Sequence, residues 1–254
     1  MLAAILDGDA KKFAELIRQD PGFNVNMAVD GFGRTLLHYA CNGGRRSAVI
    51  PLLLAHPGIV VNAKNEFGYT PFSIASASGF VSSVREMLKD SRVKVNQPNN
   101  AGSTPLCYAA RNGHLEIIKW WIASGREMDL GKPGDGKTDA IGAAKERDET
   151  EVVTLLERFK ENLEQTRHAL RVELGCLDDL AAEVFALVVF VSDGLLQIKD
   201  TTNPSPAARF FNIARRLPLE LQMALCFRQV GSVKEIIPGK ESEVAFKELA
   251  RRLW

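Results

Sequence analysis

Gly131-Lys132-Pro133-Gly134-Asp135-Gly136-Lys137-Thr138 has the spacing G-x-x-x-x-G-K-[ST]. In that pattern backbone amides cradle nucleotide phosphates and the lysine reaches the outer ones. Leu187-Val188-Val189-Phe190-Val191-Ser192-Asp193 mimics the apolar strand ending in an acid that serves the metal of such a site. The phosphate loop works only behind a buried strand, however, and the segment before it, Ile117-Ile118-Lys119-Trp120-Trp121-Ile122, reads as helix. His56 and His168 are isolated, with no cysteine or carboxylate at ligand spacing. No nucleophile–base–acid set stands out. Cys41, Cys107, Cys176 and Cys226 are far apart with no C-x-x-C pair, which predicts reduced thiols in an intracellular protein.

The elements that position these residues come from a repeat. Gly102-Ser103-Thr104-Pro105-Leu106-Cys107-Tyr108-Ala109-Ala110-Arg111-Asn112-Gly113-His114-Leu115 returns upstream as Thr35-Leu36-Leu37-His38-Tyr39-Ala40 and as Thr70-Pro71-Phe72-Ser73-Ile74-Ala75. It returns downstream as Lys137-Thr138-Asp139-Ala140-Ile141-Gly142-Ala143, with Arg147 where the closing glycine belongs. The threonines fall at 35, 70, 104 and 138, in steps of 35, 34 and 34. A period near 33 with a T-P-L-H-x-A core is the mark of ankyrin repeats, and residues 1 to about 158 resemble that family. Gly136-Lys137-Thr138 lies 34 residues after Gly102-Ser103-Thr104. The repeat therefore claims the phosphate-loop motif as a turn, and P-loop nucleotide binding at 131–138 is left as a remote alternative.

Each unit has one mechanism. Gly33, Gly68, Gly102 and Gly136 reverse the chain at positive φ, the threonine caps the inner helix, and proline suits its first position. Ala40, Ala75, Ala109 and Ala110 let inner helices approach. Outer helices carry the apolar sets Val49, Leu52 and Leu53; Val84, Met87 and Leu88; Ile118, Trp121 and Ile122. Trp121 takes a core position and Trp120 a more exposed one. Val61-Asn62 and Val95-Asn96 lead into the next turns. Met1 to Asn26 is a degenerate first repeat, with Gly8 aligned to Gly44, Gly79 and Gly113. The last repeat, from about Lys132 to Phe159, is more polar, as a cap or junction is. In the ankyrin family, histidines at the places of His38 and His114 tie turns together by hydrogen bonds.

Beyond Lys160 the pattern changes to helices over 161–174, 177–191, 207–216, 219–227 and 242–253, with a loop at Asp200–Pro206. Residues 159–208 carry four Lys/Arg against eight Asp/Glu and residues 209–254 nine against five, so the two halves attract within one helical domain. Leu217-Pro218-Leu219-Glu220-Leu221 resembles the opening of an F-box, and Val244 to Ala250 with Trp254 loosely resembles its close. Pro238-Gly239-Lys240 and Cys226-Phe227-Arg228 depart from that pattern.

The expected fold is thus all-α: an ankyrin solenoid of about five helix–turn–helix repeats over 1–158, then a helical domain over 159–254. Hydrophobic residues at 46% and charged residues at 25% suit a globular chain, and a net charge of +1 gives no long-range pull toward nucleic acid or an anionic membrane. The longest apolar run, Val184 to Val191, is far short of the ~20 residues of a spanning helix. The N-terminus lacks the basic region of a signal peptide, so an intracellular place is expected, cytoplasmic or nuclear. The resemblance implies a non-enzymatic module that binds a protein partner on the concave side of the repeats, with no cofactor or metal. Candidate contacts are the turn residues Phe32, Arg34 and Phe67, all three tyrosines of the chain (Tyr39, Tyr69 and Tyr108), and a polar rim of Glu66, Asn100, Ser103, Arg111 and Asn112. The alternative is a ubiquitin-ligase substrate receptor whose F-box-like segment is 217–254.

Overall fold

The computed structural model describes residues 1–20, 22–193, 196, 206–217, 219–230 and 245. These fall into two compact units, Met1–Leu170 and Arg171–Trp254. Among the described residues all regular structure is helical.

The first unit is a stack of helix pairs. These are α1 (Leu2–Asp7) with α2 (Ala10–Gln19), and α3 (Leu36–Cys41) with a 3₁₀ turn (Gly44–Val49) running into α4 (Ile50–Leu54). Next come α5 (Pro71–Ala77) with α6 (Val81–Lys89), α7 (Pro105–Arg111) with α8 (Leu115–Ser124), and α9 (Ala140–Lys145) with α10 (Thr150–Glu161); α11 (Leu163–Glu173) follows. Inner helices pack in the order α1, α3, α5, α7, α9, and in the outer row α6 packs on α4 and α8, and α8 on α10. Ala40, Ala75, Ala109 and Ala143 are buried at the inner-helix contacts, where any longer side chain would push neighbours apart. The outer row supplies the bulk of the core through Ile50, Leu53, Val84, Met87, Ile118, Trp121, Val152 and Leu156. Phe72 meets Trp121 edge to face, centroids 4.9 Å apart.

Local chemistry starts each inner helix. Thr70 Oγ1 accepts the Ser73 N–H at 3.2 Å and Thr104 Oγ1 the Cys107 N–H at 3.3 Å, each followed by proline at the first helical position. Where Leu36 replaces proline, His38 completes the cap. Its Nδ1 accepts the Thr35 N–H at 3.0 Å, so the ring proton sits on Nε2 and is donated 3.0 Å to the Tyr69 carbonyl of the next repeat. His114 Nε2 and Asn112 Nδ2 both donate back to the Ala77 carbonyl, at 3.0 and 2.9 Å.

The fifth pair departs from the sequence register. Asp139, not Thr138, caps α9, accepting the Gly142 N–H at 2.8 Å. Gly136 is not at positive φ; Gly134 is, at 79°. An extra residue in the turn shifts the reversal upstream and hands the cap to the next side chain. The residue left-handed where Gly79 and Gly113 stand is Asp148, φ 58°, rather than Arg147. Aspartate is among the few non-glycine residues that tolerate this conformation. In the second pair Gly44 opens the 3₁₀ turn instead of breaking the chain at positive φ.

Between repeats, one asparagine per turn bonds twice to the next turn. Asn26 donates to the Gly58 carbonyl at 2.7 Å and accepts the Val60 N–H at 2.8 Å; Asn62 does the same with Arg92 and Lys94, both at 2.8 Å. Asn96 repeats it more loosely with Glu127 at 3.4 Å and Asp129 at 3.2 Å. Arg126 covers the end of α6, reaching the Asp90 carbonyl at 2.7 Å and the Val93 carbonyl. α11 belongs to the stack: Thr166 Oγ1 donates to the Arg158 carbonyl at 3.1 Å, Arg167 Nε to the Ile122 carbonyl at 3.3 Å, and Leu170 is buried.

In the second unit α12 (Cys176–Ser192) packs on α13 (Pro206–Ala214) and α14 (Leu219–Gln229). Its core is Ala181, Ala182, Phe185, Ala186, Val188, Ala214, Cys226, Phe227 and Ala245. The loop residues 200–205, the helix expected at 242–253 except for Ala245, and most of the F-box-like segment lie outside the described residues.

Two outcomes follow. A fragment of residues 1–173, which keeps α11 whole, melts cooperatively on its own, because each repeat is stabilised by its neighbours. One ending at Glu161, which keeps α10 whole, melts lower, since it loses the α11 bonds and the burial of Leu170. Calorimetry on the two fragments checks this, and equal melting temperatures would remove α11 from the cooperative unit. The second outcome concerns acid. Burial holds the His38 imidazole below its ordinary value of 6.5, with its bonds acting in the opposite sense. The folded state therefore keeps it neutral, and stability is full above pH ~6.5 and falls as the unfolded chain takes up the proton below that. The melting temperature declines below that pH, and a His38→Gln variant flattens this first decline.

Candidate protein-binding surface

At each turn a short side chain folds the backbone around itself. Asp30 Oδ1 accepts the N–H groups of Phe32 and Arg34 at 3.0 and 3.1 Å, Asn65 Oδ1 those of Phe67 and Tyr69 at 3.1 and 2.9 Å, and Asn99 Oδ1 those of Ala101 and Ser103 at 3.0 Å each. Gly33, Gly68 and Gly102 complete each turn at φ 71°, 79° and 85°, where a β-carbon is strained. The amides are thereby spent inside the turn, and the residue before each glycine, Phe32, Phe67 or Ala101, is left exposed. Adjacent tips are tied by backbone bonds, Glu66 N–H to the Phe32 carbonyl at 3.0 Å and Asn100 N–H to the Phe67 carbonyl at 3.1 Å. Phe32 and Phe67 consequently stand together, 51% and 54% exposed, with ring centroids 6.0 Å apart.

Behind the tips lie the tyrosines. Tyr39 donates to Asp30 Oδ2 at 2.7 Å, and the Arg34 guanidinium, paired with Asp30, lies 4.8 Å over the Tyr39 ring and 5.4 Å over Phe32. Partial burial acts against the Asp30 carboxylate, but the bonds from Tyr39 and Arg34 hold it well below the usual carboxylate range. One repeat on, Tyr69 donates to the Tyr108 hydroxyl at 2.9 Å with centroids 5.7 Å apart, and Asn99 Nδ2 donates to the same oxygen at 3.1 Å. Burial and the donated bond push the Tyr69 phenol up. For Tyr108 burial works upward, yet the bonds it accepts from Tyr69, Ser103 and Asn99 bring it below its ordinary value. Phe32, Phe67 and Tyr39 thus form one aromatic cluster with the Arg34 cation stacked in it, and Tyr69 with Tyr108 forms a second, anchored on Asn99.

The expected polar rim divides. Glu66 is exposed. Asn100, Arg111 and Asn112 are ties between repeats, donating to the carbonyls of Glu66 at 2.8 Å, Gly136 at 2.8 Å and Ala77 at 2.9 Å. Ser103 is buried rather than on the rim, because its N–H turns inward to Asn99. The residues that sequence reasoning passed over are Asp30, Asn65 and Asn99, which hold the tips and anchor two tyrosine hydroxyls. Their signal is recurrence at steps of 35 and 34.

The phosphate-loop motif is closed on itself. The Gly131 N–H donates to Asp129 at 2.9 Å, Gly134 to Asp139 at 2.7 Å, Lys137 to Asp135 at 3.0 Å, and Lys132 to the Thr138 hydroxyl at 3.3 Å. Carboxylates of the chain occupy the amides that phosphate oxygens need, and α8 precedes the loop in place of a strand. Cys41, Cys107 and Cys226 are buried, which pushes their thiols up, Cys226 to about 12, so none is a thiolate at neutral pH. Among the described residues no helix is long and apolar enough to cross a membrane.

Comparison with known proteins agrees with this geometry. Residues 1–99 and 52–131 match the family described as ankyrin repeats (3 copies). Over 133 residues the chain is 32% identical to the SMC5-SMC6 complex localization factor protein 1 of Bos taurus, a match covering 51% of this chain and 12% of that protein. Ankyrin repeats are protein–protein interaction modules. Capped inner helices, tied turn tips and a family match spanning residues 1–131 lead to one conclusion: the chain belongs to the ankyrin-repeat family.

Proposed function

We propose that this chain is a non-enzymatic adaptor that captures a protein segment across the turn tips of its second, third and fourth helix pairs. Phe32 and Phe67 are the anchors, Tyr39, Tyr69 and Tyr108 form the floor, and Glu66 and Arg34 set polarity at the edge. The observation that carries this reading is the paired, half-exposed Phe32 and Phe67 rings on a tied turn backbone. Large apolar rings are costly to leave in water and are enriched at the centres of interfaces. His38 and His114 are committed to ties between repeats, and the Cys41, Cys107 and Cys226 thiols are held protonated by burial. A net charge of +1 favours a protein over nucleic acid or lipid. The widely spaced cysteines support a reducing intracellular place, cytoplasmic or nuclear. The name of the bovine relative, a localization factor for a complex, fits an adaptor that positions other proteins.

Affinity capture with mass spectrometry identifies the partner, and titration calorimetry then tests the surface. Phe32→Ala with Phe67→Ala should weaken the partner by ~2 kcal/mol or more per ring, while the melting temperature shifts only slightly, because both rings are half in water already. Tyr108→Ala should cost more stability, since it strips Asn99 and Tyr69 of their hydroxyl partner. Unchanged affinity in the double phenylalanine variant would place the binding surface elsewhere.

A further inference from the structure

In an Asn-Gly pair the backbone nitrogen of the glycine can attack the asparagine side chain, because glycine has no β-carbon to obstruct the approach. The pair occurs twice in this chain, at Asn42-Gly43 and Asn112-Gly113, each where an inner helix ends. Asn112 is exposed and Asn42 half-buried, so exposure alone selects Asn112. The hydrogen bonds select the other. Asn112 Nδ2, which would be the leaving nitrogen, is tied to the Ala77 carbonyl at 2.9 Å. The Gly113 N–H, which would supply the attacking nitrogen, donates to the Ala110 carbonyl at 3.2 Å. Among the described residues, neither the Asn42 side chain nor the Gly43 N–H has a hydrogen-bond partner.

Arg46 adds a second difference. Its Nη1 donates to the Asn42 carbonyl at 3.2 Å. A β-carbon at Gly43 would meet Arg46 Cδ at 2.9 Å, so the glycine is what lets this side chain lie over the peptide. The Asn42 carbonyl and the Gly43 N–H belong to one conjugated group, and charge left by losing the proton is shared with that oxygen. A guanidinium on the oxygen favours the ionised amide. Gly44 and Arg45, which follow, are exposed and leave the segment open to water.

We infer that Asn42 is a site of spontaneous deamidation, with Arg46 as the residue that promotes it. The Gly43 nitrogen gives its proton to hydroxide and attacks Asn42 Cγ. The N–Cγ bond forms, the Cγ–Nδ2 bond breaks, and the departing nitrogen takes a proton from water and leaves as ammonia. Water then opens the cyclic imide. Cleavage at Cγ gives aspartate; cleavage at the main-chain carbon gives isoaspartate, with the chain running through the former side chain. Either product sets a carboxylate near Arg46. Isoaspartate also lengthens the link between α3, which carries His38 and Tyr39, and the 3₁₀ turn at Gly44–Val49.

The test incubates the full chain for weeks at neutral and at mildly alkaline pH. Peptide mapping by mass spectrometry follows the amide-to-acid change at Asn42 and Asn112. Methyl transfer from S-adenosylmethionine by a purified isoaspartyl methyltransferase counts isoaspartate. In the folded chain Asn42 should react roughly tenfold or more faster than Asn112, the ratio that two net hydrogen bonds represent, and its rate should rise with pH. Synthetic peptides of residues 38–47 and 108–117 should react at similar rates, because neither keeps the bonds of the fold. Arg46→Gln, with folding confirmed by circular dichroism, should slow Asn42 severalfold and leave Asn112 unchanged. If Asn112 keeps pace with Asn42 in the folded chain, the site is overturned. If Asn42 leads but Arg46→Gln leaves its rate unchanged, the role of Arg46 is overturned and the site stands.

Discussion

A turn between helix pairs leaves backbone N–H and C=O groups that no helix satisfies, and in this chain the neighbouring repeat satisfies them. Asn26, Asn62 and Asn96 each give one carbonyl a donor and one amide an acceptor in the following turn. His38 reaches forward to Tyr69 and His114 back to Ala77. These bonds cannot form within one helix pair, and neither can the burial of Ile50, Met87 or Trp121. A single repeat would leave both its polar turn groups and its apolar faces in water, so the stack is the smallest unit that closes the requirement.

The same constraint builds the surface. Because the tip amides are held by Asp30, Asn65 and Asn99 and the Phe32 and Phe67 carbonyls by the next tip, the backbone that carries each projecting side chain is fixed. A phenylalanine there stays in water beside its neighbour. Such rigidity lowers the entropic cost of meeting a partner. It also explains why the phosphate-loop motif forms no phosphate site. A repeat turn and a phosphate cradle demand the same amides, and here aspartates of the chain reach them first. The tyrosines take part in both tasks, since their rings line the face while their hydroxyls are fixed by Asp30 and by each other.

Much of this was legible in the residues alone. The period of Thr35, Thr70 and Thr104, the prolines after two of them and the alanines within each inner helix encode local rules of capping and close packing, which act over a few positions and survive without tertiary context. The five helix pairs and the aromatic composition of the tips follow from the same repeat. The last pair was misplaced by one residue at its cap and at its left-handed position, because Asp139 and Asp148 can do what threonine and glycine do, and identity alone does not say which neighbour takes the role.

Tertiary structure decided what each polar side chain is for. Arg111, Asn112 and Asn100 have the composition of a contact rim, yet they bond across repeats; Ser103 has it and is buried. The partners in those bonds lie 25 to 35 residues away, a separation at which sequence pattern carries no hydrogen-bond direction. The sequence by itself determined a stack of capped helix pairs with aromatic tips, since those properties are local and periodic. Only the folded stack decided that Phe32 and Phe67 meet, that Tyr69 donates to Tyr108, and that the loop at 131–138 is sealed by its own carboxylates, because each depends on where the neighbouring turn places its atoms.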